Sequence, residues 1–302
     1  MKFKSIQTFF VVQAGCAMLL ISATLLGISY LTTEKSNAFV RESTDNQAAD
    51  RAQAELTSLG QAKAAEIGAR LQSALQVAQQ LAVVNISIGK VGTDGQPLLG
   101  MSREQMSNLT RETLIASPQA LSVYVIWEPN AFGSSDIRYA GSISDGYDGS
   151  GRFLPAWYRG KDQEILVQPA PTVESQSRLA TGVREGEYYL CAKETKKDCV
   201  IDPAAYDLTD GSRVLLTSFT VPILVNGKFE GVAGVDYALS FIQNLLETSN
   251  HSLYSGAGSM SLLSGNGRYV ASTQAPKKLG ELSSDSLKVQ RLPSVQSLRQ
   301  SC

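Results

Sequence analysis

Histidine is almost missing from this chain: His251 is the only one among 302 residues. That excludes any multi-histidine metal centre and leaves His251 as the one candidate base for a His-dependent triad. The setting of His251, SNHSLYSG, reads as a linker and not as the surroundings of a catalytic base. An excess of one charge sign is missing too, with 27 Lys and Arg against 28 Asp and Glu. The densest cationic stretch is the short Lys193–Lys197 segment, so nothing points to nucleic acid as a partner. A phosphate loop is absent as well, because Gly149-Ser150-Gly151 has no Lys-Ser or Lys-Thr at the required spacing. No metal, no cofactor and no enzyme activity is expected.

Cysteines are few, and their placement matters more than their number. Cys16 lies in an apolar run and Cys302 ends the chain, while Cys191 and Cys199 stand eight apart in the polar segment LCAKETKKDC. That spacing is wrong for a zinc knuckle. Outside the cytoplasm the pair is expected to close a surface loop as a disulfide, and the alternative is two independent thiols.

What is present begins with one long apolar run. Residues 6–31 contain no Asp, Glu, Lys or Arg, and about 20 apolar residues at a rise of 1.5 Å span a hydrocarbon core. Lys2 and Lys4 precede it, which places residues 1–5 in the cytoplasm and the chain from about Thr32 outside. A cleaved signal peptide would have a shorter apolar core. A lipoprotein processed at Cys16 would end its core before that cysteine, whereas here it continues through Leu26. The expectation is a single-pass anchor in a bacterial inner membrane with the bulk of the chain periplasmic.

After the anchor, residues 32–85 lack proline and carry Leu56, Leu59, Ile67, Leu71, Leu75 and Ala78 at spacings that suit one amphipathic helix. A shorter helix is expected at Arg103–Ile115, a strand at Leu121–Trp127, a short strand at Arg138–Ala140 and a compact aromatic segment at Phe153–Arg159. Arg213–Val225 and Lys228–Tyr237 form the clearest hairpin, joined by Asn226-Gly227, a pair suited to a type I′ turn. Pro222 calls for a bulge or an edge position there. A helix at Ala238–Thr248 and a hairpin of Ser259–Leu263 with Arg268–Ser272 complete the series. The order implies an α+β fold with an antiparallel sheet.

Aromatic and acidic residues are the remaining chemistry, and they are expected on the strands and loops of one sheet: Tyr124, Trp127 and Glu128, then Trp157 and Tyr158, then Tyr188 and Tyr189, with Asp207 and Asp236. Aromatic walls around a carboxylate suit a small cation. Asp236 closes the apolar run GVAGV, where burial of a lone carboxylate is costly. Its alternative role is to cap the helix that follows.

The segments GSGRFLPAWYRG (149–160), EYYL (187–190), DPAAYDLTDGSRVLLTSFTVPILVNGKFEGVAGVD (202–236) and SLLSGNGRYVAS (261–272) resemble the double-Cache sensory domain of bacterial methyl-accepting chemotaxis proteins. The resemblance implies a long helix supporting two stacked modules. A membrane-distal, ligand-binding Cache (PAS-like) module at 86–248 would be followed by an incomplete membrane-proximal module and irregular tail at 249–302. It implies a ligand site of Tyr124, Trp157, Tyr158, Tyr189 and Asp236, and a homodimer built through the long helices. Two departures bear on the ligand. Pro155 stands where the amino-acid-binding subgroup has an arginine, and Cys191 where it has an aspartate. An amine or polyamine is therefore expected ahead of a standard α-amino acid, with Arg152 or Arg159 as possible substitute clamps. The signalling region of such receptors is not in this sequence, so the chain reads as a truncated product or gene fragment. The alternatives are the sensor half of a histidine kinase or cyclic-dinucleotide enzyme, or a membrane-anchored fragment with no ligand.

Overall fold

The structure, a computed structural model, describes residues 6–133 and 135–283. The expected cytoplasmic stretch 1–5, Cys302 and most of the expected irregular tail (284–302) lie outside the described residues. The chain divides into two units, residues 1–62 and 63–302.

The first unit is helical throughout its described length and belongs to α1 (Ile6–Gly89). Among the described residues α1 is the one helix long and apolar enough to cross a membrane, and the protein buries none of its apolar stretch. Its threonines return their hydroxyls to carbonyls three or four residues back, as Thr24 does to Leu20 (3.0 Å) and Ile21 (2.8 Å). Side chains that satisfy themselves this way leave the apolar surface without free donors.

In the second unit, α1 continues from Lys63, and here its stripe is buried: Ile67, Ala74, Leu75, Ala78, Leu81 and Ala82. Their three- and four-residue spacing puts them on one face, and that face packs on a sheet. The fully buried Asn85 fixes the register by accepting the Trp127 indole N–H at 2.8 Å while donating to the Leu81 carbonyl at 2.8 Å. A second helix, α2 (Arg103–Ala116), starts with a capping box in which Ser102 and Gln105 exchange side-chain and backbone bonds.

The sheet is antiparallel in every pairing. Its strands are β1 (Ser122–Trp127), β2 (Pro155–Arg159), β3 (Ile165–Pro169), β4 (Cys199–Val200), β5 (Ala204–Asp207), β6 (Arg213–Val225) and β7 (Lys228–Ala238), in the order β3-β2-β1-β7-β6-β4, with β5 also paired to β6. β6 and β7 form the expected hairpin around Asn226-Gly227, both at positive φ (52° and 80°). The irregularity that Pro222 demanded falls between Ile223 and Leu224.

Alternation along the strands builds two cores. Val123, Val125, Trp127, Phe219, Val221 and Val235 join the helices α1, α2 and α4 (Leu239–His251). On the other face Tyr124, Ile126, Ala156 and Val232 meet α3 (Glu187–Thr195). A two-stranded sheet, β8 (Ser261–Leu263) and β9 (Tyr269–Ser272), shares the first core through Val270 and Ala271. Gln243 of α4 and Ser272 of β9 exchange two hydrogen bonds of 2.8 and 2.9 Å.

Two local expectations are corrected. Arg138–Ala140 is not a strand: Asp136–Tyr139 is a single 3-10 turn. The Asp136 carboxylate, ion-paired to buried Arg103 and accepting the Asn130 N–H (2.6 Å), pins this loop without offering it a partner strand. Tyr188 and Tyr189 are helical residues of α3, not members of the sheet or its loops. β3, β4 and β5 were not anticipated as strands.

Candidate ligand-binding site

The face of the sheet turned to α3 holds a narrow cavity of about 40 Å³. Its floor follows from strand alternation. Ser122 and Tyr124 of β1, Ala156 and Tyr158 of β2, Gln168 of β3, Leu216 and Ser218 of β6, and Asp236 of β7 all point the same way. Ser122 pairs with Asp236 on one side and Tyr158 on the other, and Ser218 stands opposite Asp236. Tyr188 from α3, Tyr206 from β5 and Leu208 close the walls.

Asp236 is the only charged residue in this lining. Its Oδ2 accepts the Ser122 hydroxyl, and its buried Oδ1 has no hydrogen-bond partner. Burial pushes its carboxyl up to about 6, against the opposing pull of the Ser122 hydroxyl. It does not cap α4, which begins at Leu239 without a side-chain cap, so the alternative role is discarded.

The tyrosines differ in how their hydroxyls are used. Tyr188 donates to the Pro171 carbonyl, Tyr206 to the Glu185 carbonyl (3.2 Å), and Tyr158 shares 2.8 Å with the Thr209 hydroxyl. The Tyr124 hydroxyl is buried with no partner. Burial raises Tyr124, Tyr188 and Tyr206 above the ordinary phenol range, so all three stay neutral. The rings of Tyr124 and Tyr188, and of Tyr188 and Tyr206, meet edge to face at 5.5 and 6.0 Å. Tyr124 can lie across β7 only because residue 234 is glycine: a Cβ there would come within 2.2 Å of the ring.

Of the five anticipated ligand residues, the structure brings together Tyr124, Tyr158 and Asp236. Trp157 and Tyr189 are not in the cavity lining. Trp157 neighbours Tyr158 on a strand, so it faces the opposite side, where its indole N–H meets the Ser107 hydroxyl of α2 at 3.0 Å. Tyr189 follows Tyr188 on a helix and turns about 100° away. Its hydroxyl donates to Glu128 and accepts from Arg152 at 2.6 Å. Ser122, Gln168, Tyr206 and Ser218 were missed as lining residues, and Tyr188 was among the aromatic candidates but not among the five ligand residues. The period-two pattern of β1 and β6 could have found the two serines.

The substitute clamps are also elsewhere. Arg152 is held by the Trp127 carbonyl and Tyr189, and Arg159 by the carbonyls of Ala120 (3.2 Å) and Leu114 (2.8 Å). Neither lines the cavity. Cys191 of α3 and Cys199 of β4 are joined by a disulfide, which ties the helix carrying Tyr188 to the sheet. Among the described residues no group of three or more His, Cys, Asp or Glu could hold a metal ion.

No family model matches the sequence. The chain is 28% identical over 285 residues to methyl-accepting chemotaxis protein TlpQ of Pseudomonas aeruginosa, a match covering 92% of this chain and 39% of that protein. The chain is a homologue of a chemoreceptor. It thus spans about two fifths of that relative's length. Among solved structures, methyl-accepting chemotaxis protein X superposes with a TM-score of 0.59 at 20% identity, covering 81% of this chain and 79% of that one. The extracellular domain of the histidine kinase mmHK1S-Z3 gives 0.57 at 23% identity over 71% and 68%. The periplasmic sensory domain of the Campylobacter jejuni chemoreceptor Tlp1 gives 0.51 at 11% over 72% and 71%. The chain shares its α+β architecture with these domains.

Proposed function

We propose that the chain is the extracytoplasmic sensing part of a bacterial chemoreceptor and binds a small organic cation in the cavity around Asp236. The observation that carries this is the pair of unpartnered buried atoms, Asp236 Oδ1 and Tyr124 Oη, in a lining with no Lys, Arg or His. A buried carboxylate with a vacant acceptor is costly unless a donor arrives. An ammonium brings charge and donors together, and the neutral tyrosine rings add cation–π attraction. An anion meets only Asp236 as a charged group, so a standard amino acid, whose carboxylate would be unclamped, is disfavoured against an amine or polyamine. Tyr124, Tyr158 and Asp236 are the ligand residues in this reading, joined by Tyr188, Tyr206, Ser122 and Ser218.

In this reading residues 6–31 cross the inner membrane once, and residues 86–248 form the membrane-distal module outside it. Residues 249–302 begin a second module. Exposed Phe39, Val40 and Leu56 on α1 support pairing with a second copy. Binding signals for chemotaxis by shifting a two-state equilibrium of the helix-bearing domain. The fold shared with a histidine-kinase extracellular domain favours a second reading, in which the same module drives a kinase.

Calorimetry on the detergent-solubilised chain, with primary amines, α-amino acids and organic acids, tests the proposal. Amines bind and the Asp236→Asn variant loses them. Folded protein that takes no organic cation, or that prefers the acids, overturns it.

A further inference from the structure

The cavity has a second pole, and it offers a donor. Gln168 is 5% exposed and lines the cavity from β3. Its Oε1 accepts the Thr209 backbone N–H at 2.9 Å. A backbone amide can only donate, so this bond fixes which end of the carboxamide is oxygen. The Nε2 group is then on the other side of the carboxamide, where no hydrogen bond among the described residues uses it and it keeps some accessible surface. Thr209 is itself held by the Tyr158 hydroxyl at 2.8 Å. The amide is therefore anchored through the turn that follows β5.

The two poles sit on different strands. Asp236 is on β7 and Gln168 on β3, with β1 and β2 between them. Asp236 is level with Leu166, so three steps of about 4.8 Å across and two residues of about 3.3 Å along the strand put their backbones roughly 16 Å apart. Two side chains reaching over the floor from those positions leave room for a short ligand, in keeping with the small cavity.

Resting on the amine reading above, we infer that Gln168 selects a cation carrying an uncharged hydrogen-bond acceptor (an ether, carbonyl or hydroxyl oxygen) a few bonds from its ammonium. A second ammonium in that place would bring donors to a donor. A plain alkyl chain lying there would cover the Nε2 group without satisfying it. A carboxylate would find no cation there. The ligand class narrows from amines in general to monocations with a neutral acceptor tail, and linear diamines are disfavoured.

An isosteric series decides the matter by calorimetry on the whole solubilised chain: 3-methoxypropylamine, pentylamine and 1,5-diaminopentane. The first two have equal numbers of heavy atoms, and without a donor at the far pole the more apolar pentylamine binds tighter. One hydrogen bond made in the cavity reverses that order, by about threefold to tenfold in favour of the ether, and leaves the diamine weakest. In Gln168→Met, similar in length but without donor or acceptor, the ether loses its advantage. The contrast between two ligands on one protein is read, so any general loosening of the turn cancels. Pentylamine binding as tightly as the ether, or an ether preference surviving in Gln168→Met, overturns the inference while the amine reading stands. Failure of every organic cation to bind removes both.

Discussion

Trp157 and Tyr158 are neighbours in the chain and face opposite sides of the sheet, the indole bonded to Ser107 of α2 and the phenol to Thr209 beside the cavity. Trp157→Ala is therefore expected to cost about 2–4 kcal/mol of stability, a large truncation at a half-buried site, with amine affinity changed little in protein that remains folded. Tyr158→Phe is expected to cost no more than about 1.5 kcal/mol but to speed ligand release, because it frees the turn at Thr209. Denaturant melts and stopped-flow binding on both variants check the division of roles; a Trp157→Ala protein that is stable and ligand-blind contradicts it.

Asp236 is a site where function and stability oppose each other. Its folded carboxyl titrates near 6 against an ordinary value of 3.8, because burial disfavours the charge. In the unliganded protein this group is protonated and harmless below about pH 4. It destabilises the fold progressively as pH rises from about 4 to about 6, by about 3 kcal/mol at 1.36 kcal/mol per unit, and by that constant amount at higher pH. Asp236→Asn should raise the melting temperature of the unliganded chain at pH 7.5, with the gain shrinking towards pH 4. Equal melting temperatures at both pH values would remove the buried-charge argument.

Ligand affinity should follow the same titration with the opposite benefit. Above about pH 7 the carboxylate is ionised and amine binding is flat with pH. Below about 6 each unit costs close to tenfold in affinity, since protonated Asp236 no longer attracts a cation. Isothermal titrations from pH 5 to 8 give the profile, and an affinity that rises on acidification is incompatible with the site described.

The Cys191–Cys199 bond holds α3 against β4, and α3 carries Tyr188 into the cavity wall. Closing a loop of this length contributes about 2–3 kcal/mol through the unfolded chain. Reduction, or Cys191→Ser with Cys199→Ser, should lower stability by that order and weaken amine binding, while the hairpin of β6 and β7 stays intact. Hydrogen exchange resolved by segment separates these effects: α3 should lose protection first.

The sequence made the scaffold legible where local chemistry and periodicity agreed. Asn226-Gly227 sets a turn that few other pairs allow, and the buried stripe from Ile67 to Ala82 has helical spacing. β3 and β5 escaped because each is four or five residues long and takes its strand character from β2 and β6, not from its own composition. For the site, Asp236 and Tyr124 were visible as an acid after an apolar run and an aromatic in a strand. Trp157 and Tyr189 lie outside this cavity for one reason. Adjacent residues were assigned to one cavity, although a strand separates neighbours by a half turn and a helix by about 100°. Gln168 was invisible because its role comes from the Thr209 N–H, 41 residues away.

One link reaches beyond the cavity. Asp202 lies just ahead of β5, where its carboxylate accepts the Asn266 side-chain N–H at 2.9 Å and stands 3.8 Å from the Arg268 guanidinium. Both of those residues belong to the β8–β9 hairpin region, and Arg268 also holds the Gly280 carbonyl at 2.9 Å. Four residues past Asp202, Tyr206 lines the cavity. Under the proposed function, a guest that displaced this phenol would pull on a charged tether, giving the smaller sheet a five-residue connection to the cavity.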